Sequence, residues 1–166
     1  MTRDASYRVL LVLGIVLCTI GCDRVTKSLA SNLRGEAPRS FLNGAVQLEY
    51  TENRGAFLGL GRGLPDRERF WVLTFGTGVL LALVGLYLAA SVALHRSDFL
   101  PWSLLLGGGV SNLVDRVAGS GRVVDFLTLG VGPLRTGVFN LADFAISLGA
   151  VLLLVQHLGR SRHPRP

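Results

Sequence analysis

The chain has 166 residues, room for one domain, of which 49% are hydrophobic and only 17% charged. The apolar residues fall in long blocks, the pattern of a membrane protein rather than a globular one. The net charge is +6, but the basic residues are scattered and form no stripe interleaved with aromatics, which argues against a nucleic-acid partner; Lys and Arg gathered on the cytoplasmic side of a membrane account for the excess.

Four segments have helix-spanning length, about 8–30, 70–93, 99–117 and 138–158. They predict an all-α membrane fold, a four-helix transmembrane bundle forming a single domain over 1–166. The first, "RVLLVLGIVLCTIGC", has the basic start and apolar stretch of a lipoprotein signal peptide ending at Cys22. Thr19 replaces the aliphatic residue usual three before the Cys, and cleavage would strand the basic tail "RSRHPRP" outside, so the segment is read as a retained helix. Cys18 and Cys22, i,i+4 neighbours on it, predict no disulfide. The segment after it is polar, and "AVQLEYTEN" alternates: Val46, Leu48 and Tyr50 on one face, Gln47, Glu49 and Thr51 on the other. This predicts a strand in a small β-rich element over about 41–62. "GRGLPDRERF" then gives a turn and a helix start. Before the third helix, Ser97 and Asp98 are candidate N-caps, with Pro101 in the first turn. The stretch from about 118 to 137 reads as a loop carrying Asp125.

With four spans both termini share a side, and the positive-inside rule makes it cytoplasmic. The β-rich element and the 118–137 loop are then outside, and "SVALHRSDF" is inside. In this frame the polar outliers gather near the outer leaflet: Asp23 and Lys27, Asn53 and Arg54, Asn112, Asp115 and Arg116, Asp125, and Asn140 and Asp143. Helical spacing predicts pairing of Asp23 with Lys27, places Asn112 on one face with Asp115 and Arg116, and Asn140 with Asp143. Asp115 is read as the structural partner of Arg116. The run Gly107–Gly109 predicts close helix packing.

A charged group inside a bilayer costs at least ~3 kcal/mol on insertion scales, so several together mark function. His95, His157 and His163 lie far apart near the cytoplasmic ends, and neither Ser111 nor the cysteines have a neighbouring base. Two carboxylates at one depth instead fit acid–base hydrolysis, one ionised to activate water and one protonated to polarise a carbonyl. A small transporter would need ionisable groups near the midplane with access from both sides. A non-catalytic lipid-binding assembly factor would not need both Asp125 and Asp143.

"CDRVTK", "ENRGAF", "GGGVSNLVDRV", "VVDF" and "FNLAD", in this order and spacing, resemble the lipoprotein signal peptidase (signal peptidase II) family over nearly the whole chain. Ser111 stands where the family usually has Gly, and "NRGAFLGL" varies its Asn-x-Gly-Ala-Ala-Phe run. The resemblance implies an aspartic endopeptidase of the bacterial inner membrane that removes signal peptides from prolipoproteins, cutting just before a diacylglyceryl-modified Cys. It implies Asp125 and Asp143 as the catalytic pair and Asn53, Asn112, Arg116 and Asn140 as substrate-binding residues. Asp23, Lys27, Asp115 and Gly55 would support them. No metal or cofactor is expected; the implied partners are the prolipoprotein, membrane lipid and globomycin-type inhibitors, with the chain acting as a monomer. The β-rich element would close over the cleavage point, with Phe57 or Leu58 against the substrate.

Overall fold

The computed structural model describes residues 3–56, 60–61, 63–90 and 96–162; Phe57 and Leu58, and with them the contact expected of them, lie outside the described residues. The element order is α1 (Arg3–Ala30), β1 (Arg39–Phe41), β2 (Val46–Asn53), α2 (Asp66–Ala90), α3 (Phe99–Ala118), β3 (Val123–Val131), β4 (Leu134–Arg135) and α4 (Leu141–Arg162). α2 is continuous but changes winding, with a π-helical stretch at Phe70–Gly76 between α-helical Asp66–Arg69 and Thr77–Ala90.

Among the described residues three helices, Tyr7–Leu33, Asp66–Ala90 and Leu141–Arg160, are long and apolar enough to cross a membrane. Their surfaces are covered with leucines and valines such as Leu10, Leu17, Leu80, Leu86, Val151 and Leu154. The interior is the reverse. Few hydrophobic residues are buried among those described, while Asp23, Lys27, Ser111, Asn112, Asp115, Arg116, Asp125 and Asn140 all are. Such an inside-out distribution suits a lipid solvent, where apolar side chains gain nothing by leaving the surface and polar groups must find one another.

α3 is the helix around which the others pack, touching α1, α2 and α4. Its glycine run makes this possible. A Cβ on Gly107 would lie 2.9 Å from the Thr19 side chain of α1, one on Gly108 2.5 Å from the Ala142 carbonyl oxygen of α4, and one on Gly109 2.5 Å from Leu81 of α2. Each glycine therefore serves a different neighbour. At the far end of the bundle Asp98 precedes α3, but its carboxylate does not cap the helix as expected. It accepts a hydrogen bond from Arg160 of α4 at 2.6 Å, a charged donor that outcompetes a backbone amide.

The β-rich element is a four-stranded antiparallel sheet in the order β1-β2-β3-β4. It extends well beyond the expected segment, because the stretch read as a loop contains β3 and β4. Leu48 pairs with Leu127 and Thr51 with Asp125, so β2 advances three residues while β3 advances two. This β-bulge shifts the side-chain alternation by one. Thr51 and Asn53 consequently share a face with Val46 and Leu48, correcting the alternation read from the sequence. The backbone of Phe139 pairs with Leu127, its N–H donating to the Leu127 carbonyl at 2.9 Å. The sheet is thereby fastened directly to the residues that open α4.

Candidate active site

The start of α4 organises the site. Asn140 is its N-cap: the Asn140 side-chain oxygen accepts from the Asp143 N–H at 2.8 Å, and the Asp143 carboxylate accepts from the Asn140 N–H at 3.3 Å. This is the reciprocal arrangement of a capping box. A third free amide of the first turn, Ala142 N–H, donates to Asp23 Oδ1 at 2.9 Å. A carboxylate at this helix end is also favoured by the positive end of the helix dipole. Asp143 thus has a structural reason to open an apolar helix.

Asn140 also reaches the other carboxylate. Its Nδ2 donates to Asp125 Oδ1 at 2.7 Å and contacts Asn112 Oδ1 at 3.1 Å. Asp125 is on β3, not on a loop as expected, with 1% of its surface exposed. The bulge turns Asn53 toward it, and Asn53 Nδ2 donates to Asp125 Oδ2 at 2.9 Å. Asn112 Nδ2 donates to Asp143 Oδ1 at 2.8 Å. Two carboxylates are therefore held by three amides, with Asn140 bonded to both. Burial, and after it the charge of Asp143, push the Asp125 carboxyl up to about 6; the hydrogen bonds from Asn53 and Asn140 oppose the rise.

Behind this lies an ion network. Lys27 Nζ is 2.6 Å from Asp23 Oδ2, as the i,i+4 spacing predicts, 2.7 Å from Asp115 Oδ2, and donates to Asn112 Oδ1 at 3.0 Å. Asp115 does not pair with Arg116 as expected. Its second partner is Arg24, at 2.5 Å, a residue the sequence reading passed over. Adjacent residues on a helix point roughly 100° apart, so Asp115 turns to α1 while Arg116 turns to the segment after β2, donating through Nη2 to the Gly55 carbonyl at 3.2 Å. Gly55 N–H in turn donates to Asn53 Oδ1 at 2.9 Å, which orients the amide that Asn53 offers to Asp125. Ser111, set aside as a nucleophile, donates to Asp23 Oδ2 at 2.6 Å. Arg54 is exposed.

Every residue singled out as catalytic, substrate-binding or supporting thus meets at the sheet end of the bundle, on α1, β2, α3, β3, the start of α4 and the segment after β2. Fold and cluster together define a helical membrane-type protein with a buried acidic site at one end of its bundle. The family profile described as "Signal peptidase (SPase) II" matches residues 15–159. The chain is 34% identical over 157 residues to the lipoprotein signal peptidase of Pelodictyon phaeoclathratiforme, covering 89% of each chain. It is 35% identical over 153 residues to that of Burkholderia mallei, covering 92% of this chain and 90% of the relative. A solved structure described as a bacterial membrane enzyme obtained by the in meso method superposes with a TM-score of 0.80 at 22% identity, over 93% of this chain and 92% of the other; the likeness is one of fold. The chain belongs to the signal peptidase II family and is a peptidase.

Proposed function

We propose that the chain is an aspartic endopeptidase that removes signal peptides from prolipoproteins, cutting just before a Cys that carries diacylglycerol. The observation that carries this reading is the pair Asp125 and Asp143, both hydrogen-bonded to Asn140. Negative charges this close resist double ionisation, so the pair shares a proton and titrates as a unit. The ionised carboxylate takes a proton from the attacking water while the protonated one hydrogen-bonds the scissile carbonyl. Collapse of the tetrahedral intermediate then passes a proton to the leaving nitrogen. Asn53, Asn112, Arg116 and Asn140 hold the carboxylates and the substrate backbone, and Asp23, Lys27, Asp115 and Gly55 keep those residues in place. No metal or cofactor takes part, and the chain works as a monomer.

The lipoprotein substrate is carried over from the names of the relatives. In this reading α3 crosses the bilayer as a fourth span, both termini are cytoplasmic, and the sheet lies at the outer leaflet of a bacterial inner membrane. The substrate enters laterally with its acyl chains left in lipid, and globomycin-type peptides compete for the same cleft. The segment after β2 closes over the cleavage point, linked to Asp125 through Asn53 and to Arg116 through Gly55.

The test is a cleavage assay on purified prolipoprotein, with and without diacylglyceryl on its Cys. Wild type is compared with Asp125→Asn and Asp143→Asn. Cleavage that requires the lipid and falls about 10²–10⁴-fold or more in both variants is expected. Variants that cut as well as wild type would sink the dyad, and a wild type that does not cut would return the transport and lipid-binding readings.

A further inference from the structure

α2 changes its winding where it packs against α3. A π-helical stretch such as Phe70–Gly76 is rare and is frequently found at functional sites. Phe70, Trp71 and Phe75 are about half exposed and stack edge to face along its outer side. Thr74 is its one buried residue, 5% exposed, and its hydroxyl has no hydrogen-bond partner among the described residues. Other helical hydroxyls of this protein do find one. Thr19, Thr26 and Ser103 each donate to the carbonyl four residues earlier, at 2.8, 2.9 and 2.6 Å, the usual resort of such a side chain.

The antiparallel packing of α2 on α3 sets what Thr74 faces. A Cβ on Gly109 would touch Leu81, and one on Gly78 would touch Leu113. One turn further toward the sheet, helical spacing brings Thr74 level with Arg116. Arg116 is 8% exposed, and its Nε is another buried polar atom without a hydrogen-bond partner among the described residues. Buried polar groups in native proteins are nearly always satisfied, and exceptions call for a ligand or a water. Here two exceptions fall at one level of the bundle, and Arg116 is close enough to Asp125 and Asp143 to feel both charges.

We propose that Thr74 is a substrate-contacting residue, its hydroxyl and Arg116 Nε donating to one carbonyl oxygen of the substrate between α2 and α3. The proposal rests on the peptidase reading above. The carbonyl belongs either to the peptide backbone near the cleaved bond or to an ester of the diacylglyceryl group; both offer the same acceptor.

The experiment compares the reconstituted full-length wild type with Thr74→Val and Thr74→Ser. KM and kcat are measured on diacylglyceryl prolipoprotein and on an analogue with ether-linked chains, and Tm is measured in parallel. Thr74→Val should raise KM about three- to tenfold with kcat within about twofold, as for loss of a bond made in ground and transition states alike. Its Tm should hold or rise, because the swap removes a buried hydroxyl that has no partner. Thr74→Ser should restore KM. If wild type and Thr74→Val have equal KM on the ether analogue alone, the carbonyl is the ester's; if the defect persists there, it is the peptide's. Wild-type kinetics for Thr74→Val on both substrates would overturn the proposal and leave a water between Thr74 and Arg116. A lowered Tm with unchanged KM would also overturn it, assigning Thr74 to packing. A wild type that cleaves nothing would remove the peptidase reading and take this proposal with it.

Discussion

Asp125 binds its proton more tightly in the folded protein than the ordinary carboxylate value of 3.8 allows, up to about 6. The folded state therefore holds an extra proton between about pH 4 and 6, and its stability falls as pH rises through that window. Asp125→Asn should make that slope shallower in denaturation measured across the range. In Asp143→Asn a neighbouring negative charge is gone, so infrared titration of the Asp125 carboxyl should move to lower pH. An unmoved titration would mean that burial alone sets it. Ser111 offers a second check. Its bond to Asp23 steadies the carboxylate that receives Ala142 N–H, and Ser111→Ala should cost about 1–2 kcal/mol, read as a lowered Tm. At this scale much of the site was legible: Asp125, Asp143, Asn112 and Asn140 stand out because amides and carboxylates in apolar runs need a reason. Arg24 and the true partners of Asp115 were not, because those contacts join residues far apart in the chain, 91 positions for Arg24, and leave no local spacing to read.

Helices were easier to read than strands. α1 to α4 declare themselves by length of apolar run. β3 did not, because "VVDFLTLGV" is covered on both faces near its start and so lacks the alternation of a half-buried strand. The bulge in β2 left no mark either, since it is a property of the pairing and not of one strand. Its effect is nonetheless testable. Deleting Glu49 should make the pairing regular, leave Asn53 on the face of Asp125 and preserve cleavage; cleavage lost from a protein that still folds would show that the bulge itself, and not only the face, places Asn53. The glycine run of α3 gives a graded prediction. Gly109→Ala meets a flexible leucine tip and should be nearly silent. Gly108→Ala meets the backbone of Ala142 and should destabilise by about 1–3 kcal/mol, with activity lost alongside, because that backbone opens the helix carrying Asp143.

For the whole molecule, the orientation proposed from charge is open to direct measurement. In a cysteine-free background, Gly132→Cys should react with a membrane-impermeant thiol reagent from outside, and Gly159→Cys only after the membrane is opened. Labelling of both from one side would overturn the four-span topology. The central place of α3 could not be seen in hydropathy, since its charges and glycines keep it out of the three helices apolar enough to cross a membrane. Those charges find their partners at different times in the life of the chain. Asp115 can meet Arg24 and Lys27 of α1, Asn112 can meet Lys27 and Asp125 can meet Asn53 before α4 is made, whereas the amide that joins Asn112 to Asp125 comes only with Asn140. A nascent chain that stops before α4 would therefore carry Asp125 without Asp143 and without the amide that bridges the two. In the proposed mechanism, the ability to cut is withheld until the start of α4 has joined the sheet.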